Sequence, residues 1–148
     1  MVENSRVEYK SSFNDSVIES ITAFANTKGG SIFIGLDDNK QFVKDFKIGK
    51  ESIQQWLNEI KQKTRPSVIP DFEIVQIEEN DIIEIKVQEF PVKPVSFKGR
   101  YYKRVHNSNQ QLSPLEIADT SLQSLQLSWD SYPAINKSID DIDFSKVE

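Results

Sequence analysis

The segment Ala23–Asn39, AFANTKGGSIFIGLDDN, constrains the fold more than any other part of the chain. It sets two adjacent glycines, Gly29 and Gly30, between an apolar run of helical spacing and an apolar run of strand character. Upstream, Val17, Ile18, Ile21, Phe24 and Ala25 follow a 3.6-residue period, and Asn14 or Asp15 is placed to cap the helix start. Downstream, Ser31 to Leu36 reads as a buried strand. Glycine just past the last periodic residue is the usual helix stop. The order matters chemically. A phosphate-cradling loop runs strand, glycine loop, helix, so that free amides at the helix N-terminus face the anion. Here the glycines follow a helix C-terminus, where carbonyls are free and the dipole is negative. No Lys-Ser/Thr pair follows Gly30 to complete a Walker sequence. The glycines are therefore predicted to serve a close return from helix to strand.

The remaining elements are read by the same periodicities. Val7 to Lys10 forms a short first strand, and Gln41 to Val43 is the expected hairpin partner of Ser31 to Leu36 across Asp37-Asp38-Asn39-Lys40. Ile53, Trp56, Leu57 and Ile60 mark a second amphipathic helix ending before Pro66. Phe72 to Ile77 and Ile82 to Val87 form a hairpin around Glu78-Glu79-Asn80-Asp81, and Gly99 to Val105 is a further strand. Ser113-Pro114-Leu115-Glu116 is a capping box that starts a third helix, expected to run to about Leu125. The order βαββαβββα, with hairpins, excludes a purely parallel sheet. The expected class is α+β, a mixed β-sheet with helices packed on it. Residues 1–127 form the expected domain, and residues 128–148, where periodicity fades, read as a linker towards a C-terminal region outside this chain.

The chain has 148 residues, enough for one core, and no cysteine, which removes disulfides and thiol chemistry and is compatible with a cytoplasmic location. Its apolar runs are far shorter than the roughly 18 residues of a membrane span, so no membrane partner is expected. The net charge is −5. The distribution is more informative: from Pro91 to His106 the cations Lys93, Lys98, Arg100, Lys103 and Arg104 occur without an acid. The lone His106 at a strand end reads as a surface or structural residue.

Three quoted pieces occur in order: VEYK near the N-terminus, then AFANTKGGSIFIGLDD, then YYKRVHNSNQQLSPLEI. Together they resemble the Schlafen AlbA-type domain, also labelled divergent AAA, over about Glu3 to Leu125. The resemblance implies a mixed α/β fold related to Alba-like nucleic-acid-binding proteins. Prokaryotic members are commonly described as transcriptional regulators or as helicase-related, a description resting on domain analogy.

Two sets of residues follow as candidates. Schlafen nucleases of animals hold a divalent metal with three acids for RNA cleavage, and the resemblance carries those positions onto Glu3, Glu8 and Asp38. Such carboxylates would suit Mg2+ or Mn2+. Glu3 and Glu8 are an odd number of residues apart, so a regular strand would put them on opposite faces. The residues themselves allow a plainer reading, with Glu8 on an exposed strand and Asp37 and Asp38 as turn acceptors. The second set is the basic strip: Lys98, Arg100, Lys103 and Arg104, interleaved with aromatics, could meet phosphates. Alternation puts Arg100, Tyr102 and Arg104 on one face and Tyr101, Lys103 and Val105 on the other, and one face must meet the core. The expected function is nucleic-acid binding, with DNA as partner, in a regulator-like protein. A metal-dependent ribonuclease and a non-enzymatic homo-oligomerisation module are the alternatives.

Overall fold

The computed structural model describes residues 6–37, 39, 41–43 and 49–130. The chain begins with strand β1 (Val7–Lys10), helix α1 (Asp15–Ala25) and strand β2 (Gly30–Ile34). β1 and β2 pair in parallel, as strands joined by a helical crossover must, with Glu8 beside Ile32 and Lys10 beside Ile34. Helix α2 (Lys50–Lys63) leads into the short strand β3 (Thr64–Arg65), followed by β4 (Asp71–Ile77) and β5 (Asn80–Val87). Strands β6 (Ser96–Phe97), β7 (Arg100–Val105) and β8 (Ser108–Gln111) precede helix α3 (Pro114–Asp130).

These strands make two sheets. One is mixed, in the order β1-β2-β5-β4; the other is antiparallel, in the order β3-β6-β7-β8. The α+β class expected from the sequence is what is found. Helix α1 touches strands of both sheets, so it is buried on more than one side: Val17, Ile18 and every residue from Ser20 to Ala25 are inaccessible. The core is built around it from Ile32, Ile34, Ile83, Ile85, Val87, Ile60, Val95 and Phe97. A smaller cluster of Tyr9, Leu36 and Ile82 lies on the other face of the mixed sheet.

The glycine pair is dictated by close approach. Gly29 has φ +74°, and a Cβ there would lie 2.5 Å from the carbonyl oxygen of Val87. At Gly30 a Cβ would lie 2.6 Å from the Arg6 carbonyl and 2.7 Å from the Phe24 ring. Side-chain-free backbone is what lets the chain leave α1 and enter β2 beside β5. The return from helix to strand is as the sequence indicated, although no basic residue occupies the last turn of α1.

Several expectations are corrected. The hairpin expected between Ser31–Leu36 and Gln41–Val43 reduces to one bridge, Leu36 to Phe42, because both edges of β2 are taken by β1 and β5. The turn between β4 and β5 has two residues rather than four, with Glu78 and Glu79 at φ 49° and 66°. Strand β8 forms from the polar run Ser108 to Gln111, which carries no apolar alternation. The capping box at α3 is realised in both directions: the Ser113 hydroxyl accepts from the Glu116 amide at 3.2 Å, and Glu116 accepts from the Ser113 amide at 2.9 Å. That helix, expected to run to about Leu125, continues to Asp130. No helix among the described residues is long and apolar enough to cross a membrane.

Candidate functional site

Glu8 is the one acid of the expected trio within the described residues; Glu3 and Asp38 lie outside them. Strand alternation turns Glu8 towards α1, on the same side as its neighbour Ile32, rather than onto an exposed face. It is 6% exposed. One carboxylate oxygen is ion-paired with Arg104 Nη1. The other accepts from the Ser20 hydroxyl at 2.6 Å and from Lys10 Nζ at 3.0 Å. Burial by itself would raise the Glu8 pKa. The Ser20 hydrogen bond, then Lys10 and Arg104, more than offset this, and the net shift is downward.

Arg104 was expected to contact phosphate, and the structure puts it elsewhere. Its side chain is 0% exposed, its guanidinium lies 4.8 Å above the Phe24 ring, and Nη1 also donates to Asn109 Oδ1 at 2.8 Å. A guanidinium enclosed in this way is not presented to a polymer backbone. The physical reason is local. Alternation along β7 turns Tyr102 and Arg104 inward together, and the buried Glu8 carboxylate requires a cation.

The polar residues that hold this arrangement were not singled out by sequence reasoning. Asn109 donates to the Ser20 hydroxyl at 2.9 Å and to Glu19 at 3.3 Å, so β8 is tied to α1. Thr27 accepts from the Arg104 amide at 2.9 Å. Asn26 donates to the carbonyls of Val95 and Tyr102, both at 2.9 Å, and accepts from the Val95 amide at 2.6 Å. The Asn-Thr pair before the glycines therefore joins the end of α1 to the second sheet and sets Arg104 opposite Glu8. Small polar residues directly after an apolar helix were the available signal.

The remaining cations of the strip are dispersed. Lys98 lies in the β6–β7 turn at φ 53° and pairs with Asp15 at 2.5 Å. Lys103 pairs with Glu116 in the first turn of α3. These contacts, with Lys98 foremost at Asp15 and Lys103 foremost at Glu116, hold both carboxyls below their usual range. Arg100 is exposed and has no ion pair to a described residue, and His106 is exposed in the β7–β8 turn.

Two clefts open here. One, of about 400 Å3, is almost wholly polar and is lined by Glu8, Lys10, Ser12, Asn14, Glu19 and Asn109 among others. The second, of about 540 Å3, is lined by Asp15, Ser16, Glu19, Lys98, Arg100 and Tyr102 among others. Both include Ser16 and Glu19, so they meet over the N-terminal half of α1. Asp37 uses one carboxylate oxygen to accept the amides of Asn39 and Gln41, each at 2.9 Å, a turn role. Among the described residues no three His, Cys, Asp or Glu side chains converge on a point that could hold a metal, and both Glu8 oxygens already have partners. Of the expected trio only Glu8 can be placed, because Glu3 and Asp38 lie outside the described residues.

The comparisons agree with the geometry at the level of the fold. The family model described as Schlafen, AlbA_2 matches residues 3–113. Among solved structures, the DIP2311 protein of Corynebacterium diphtheriae is similar with a TM-score of 0.59 at 20% identity, over 73% of this chain and 25% of that one. The chain thus spans about a quarter of the length of DIP2311. The N-terminal domain of an ATP-dependent DNA helicase RecG-related protein from Nitrosomonas europaea is similar with a TM-score of 0.53 at 21% identity, over 76% of this chain and 86% of that one. No curated protein sequence matches the chain.

Proposed function

Because the chain belongs to the Schlafen AlbA_2 family, we propose that it is a nucleic-acid-binding module that engages DNA as part of a transcriptional-regulator-like protein. The observation that carries this reading is the joined pair of clefts over α1. It offers Lys10, paired with Glu8, at one end and Arg100 and Lys98, the latter paired with Asp15, at the other, with Ser16, Glu19 and further serine and asparagine side chains between. Hydroxyls and amides of this kind hydrogen-bond to phosphate and sugar, while cations set the affinity. The name of the Nitrosomonas europaea neighbour, which refers to a DNA helicase, supports a nucleic-acid role. The pair of Lys98 with Asp15 is solvent-exposed and therefore weak, so a phosphate can take over this lysine. Arg104 is left out of the interface because its charge is committed to Glu8.

The test is duplex binding at several salt concentrations. The three cations that line the clefts, Lys10, Lys98 and Arg100, predict a slope of log K against log salt of about −2 to −3, and Arg100→Ala should make it shallower by about 1. Absent or salt-independent binding would refute the reading. Cleavage of structured RNA that needs Mn2+ and is lost in Asp38→Ala would assign the ribonuclease alternative. A defined multimer that binds neither polymer would assign the oligomerisation module.

A further inference from the structure

The β4–β5 hairpin is used by neither the core polar network nor the clefts over α1, yet it is strongly acidic. Asp71, Glu73, Glu78, Glu79, Asp81 and Glu84 stand against Lys86 alone, a net charge of −5 that equals that of the whole sequence. All but Glu84 among these acids are exposed. Glu73 and Glu84 are direct cross-strand neighbours, an arrangement that is unfavourable in a sheet. Lys86 Nζ sits 3.1 Å from Glu73, and Ser31 donates to Glu84 at 3.0 Å, which offsets only part of that repulsion. The Lys86 pKa is raised, through Glu73 first and then Glu84, in keeping with a negative local field.

The same hairpin carries an open sheet edge. β4 closes the order β1-β2-β5-β4, and no described strand pairs with its outer side. Along this edge Ile74 is 49% exposed. At the start of β4 a groove of about 450 Å3 is lined by Ile69, Pro70, Phe90 and Pro91, and Ile69 is 66% exposed. A seven-residue strand whose outer row of backbone groups pairs with no described strand is a template for an added strand. Natural edges are more often blunted by lysine than surrounded by acids. Nucleic acid is repelled by this charge. So is a second copy of the chain, which would bring one acidic edge against another.

We propose that the β4 edge receives an extended, basic segment of a partner protein as an additional strand. Its backbone pairs with β4, alternate lysines or arginines meet the hairpin acids, and an apolar side chain enters the groove at Ile69 and Pro70. The edge lies three strand spacings from Lys10 on β1, about 14 Å across the sheet, so the two surfaces can be occupied together.

The test uses the full chain and a capped octapeptide of alternating lysine and valine, followed by fluorescence anisotropy and amide chemical shifts. Expected are shifts confined to residues 67–91 and binding weakened about tenfold in Glu73→Gln/Glu84→Gln, a variant that removes a repulsion and so keeps the fold. The same peptide N-methylated at alternate residues, which blocks one row of backbone donors, should not bind. Equal binding of the N-methylated peptide, equal binding of a glutamate–valine octapeptide, shifts centred elsewhere, or no binding at low salt would each overturn the proposal. So would self-association of the chain through β4.

Discussion

Removing the charge of Arg104 gives the sharpest test of the polar core. The side chain is fully enclosed, and its carboxylate partner is 8% exposed, so solvent screening gives little relief. Breaking a buried ion pair by deleting one partner costs about 3–5 kcal/mol, because the remaining charge stays buried. In Arg104→Met the Glu8 carboxylate retains Lys10 at 3.0 Å and Ser20 at 2.6 Å, so the expected loss is at the lower end, about 3 kcal/mol. Glu8→Gln takes the carboxylate charge away from the buried guanidinium and should cost a similar amount. The double variant Glu8→Gln/Arg104→Met leaves no unpaired buried charge, so its loss should fall about 2 kcal/mol short of the sum. A domain of this size has about 5–15 kcal/mol in total, so the single variants remain folded and measurable.

The assay is urea unfolding. With a slope of about 1–3 kcal/mol per molar, each single variant should lower the midpoint by about 1–3 M. Strict additivity in the double variant, or single losses under about 1 kcal/mol, would refute the view that Glu8 and Arg104 form one buried unit. The pH dependence gives an independent check with a definite sign. The folded-state pKa of Glu8 lies below its ordinary value of 4.5. Its contribution is therefore complete above that value and is lost as pH falls through the lower, folded pKa. Wild-type stability should decline more steeply below about pH 4.5 than that of Glu8→Gln, in which this contribution is absent.

Further variants address the supports of the site. Gly30→Ala puts a methyl group 2.6 Å from the Arg6 carbonyl and 2.7 Å from the Phe24 ring, and should cost about 2–3 kcal/mol by thermal unfolding. Asn26→Ala leaves the Val95 amide and the carbonyls of Val95 and Tyr102 without their partner. A loss of about 3 kcal/mol is expected, with faster hydrogen exchange at the Val95 amide. Glu78→Asn/Glu79→Gly supplies the residues that a turn with two positive φ angles prefers, and should raise stability by about 1 kcal/mol in the same unfolding assay.

Much of the fold was legible because its long elements carry strong local signals. The periodic spacing of Val17, Ile18, Ile21 and Phe24, the glycine stop, and the Ser113–Glu116 box each specify a local geometry that tertiary contacts then reinforce. Short pieces carry no such signal. β3 and β6 have two residues each, and β8 is a polar run that becomes a strand because β7 offers it an edge. The glutamates of the β4–β5 turn are poor residues for positive φ, so nothing in them announces a two-residue loop.

The basic strip illustrates a deeper limit on local reading. Alternation along β7 correctly divides Arg100, Tyr102 and Arg104 from Tyr101, Lys103 and Val105, but it cannot say which set turns inward. That choice is made by acids remote in sequence: Glu8, 96 residues from Arg104, and Asp15, 83 residues from Lys98. Arg104 is drawn into the interior, Lys98 sits in a turn facing the start of α1, and Lys103 reaches α3. Three of the four cations that are neighbours along the chain thus serve three different partners. Only Arg100 enters a cleft without a described counter-ion, so the electrostatic case for a nucleic-acid surface depends chiefly on this residue and on Lys98, which a phosphate can draw from its exposed pair with Asp15.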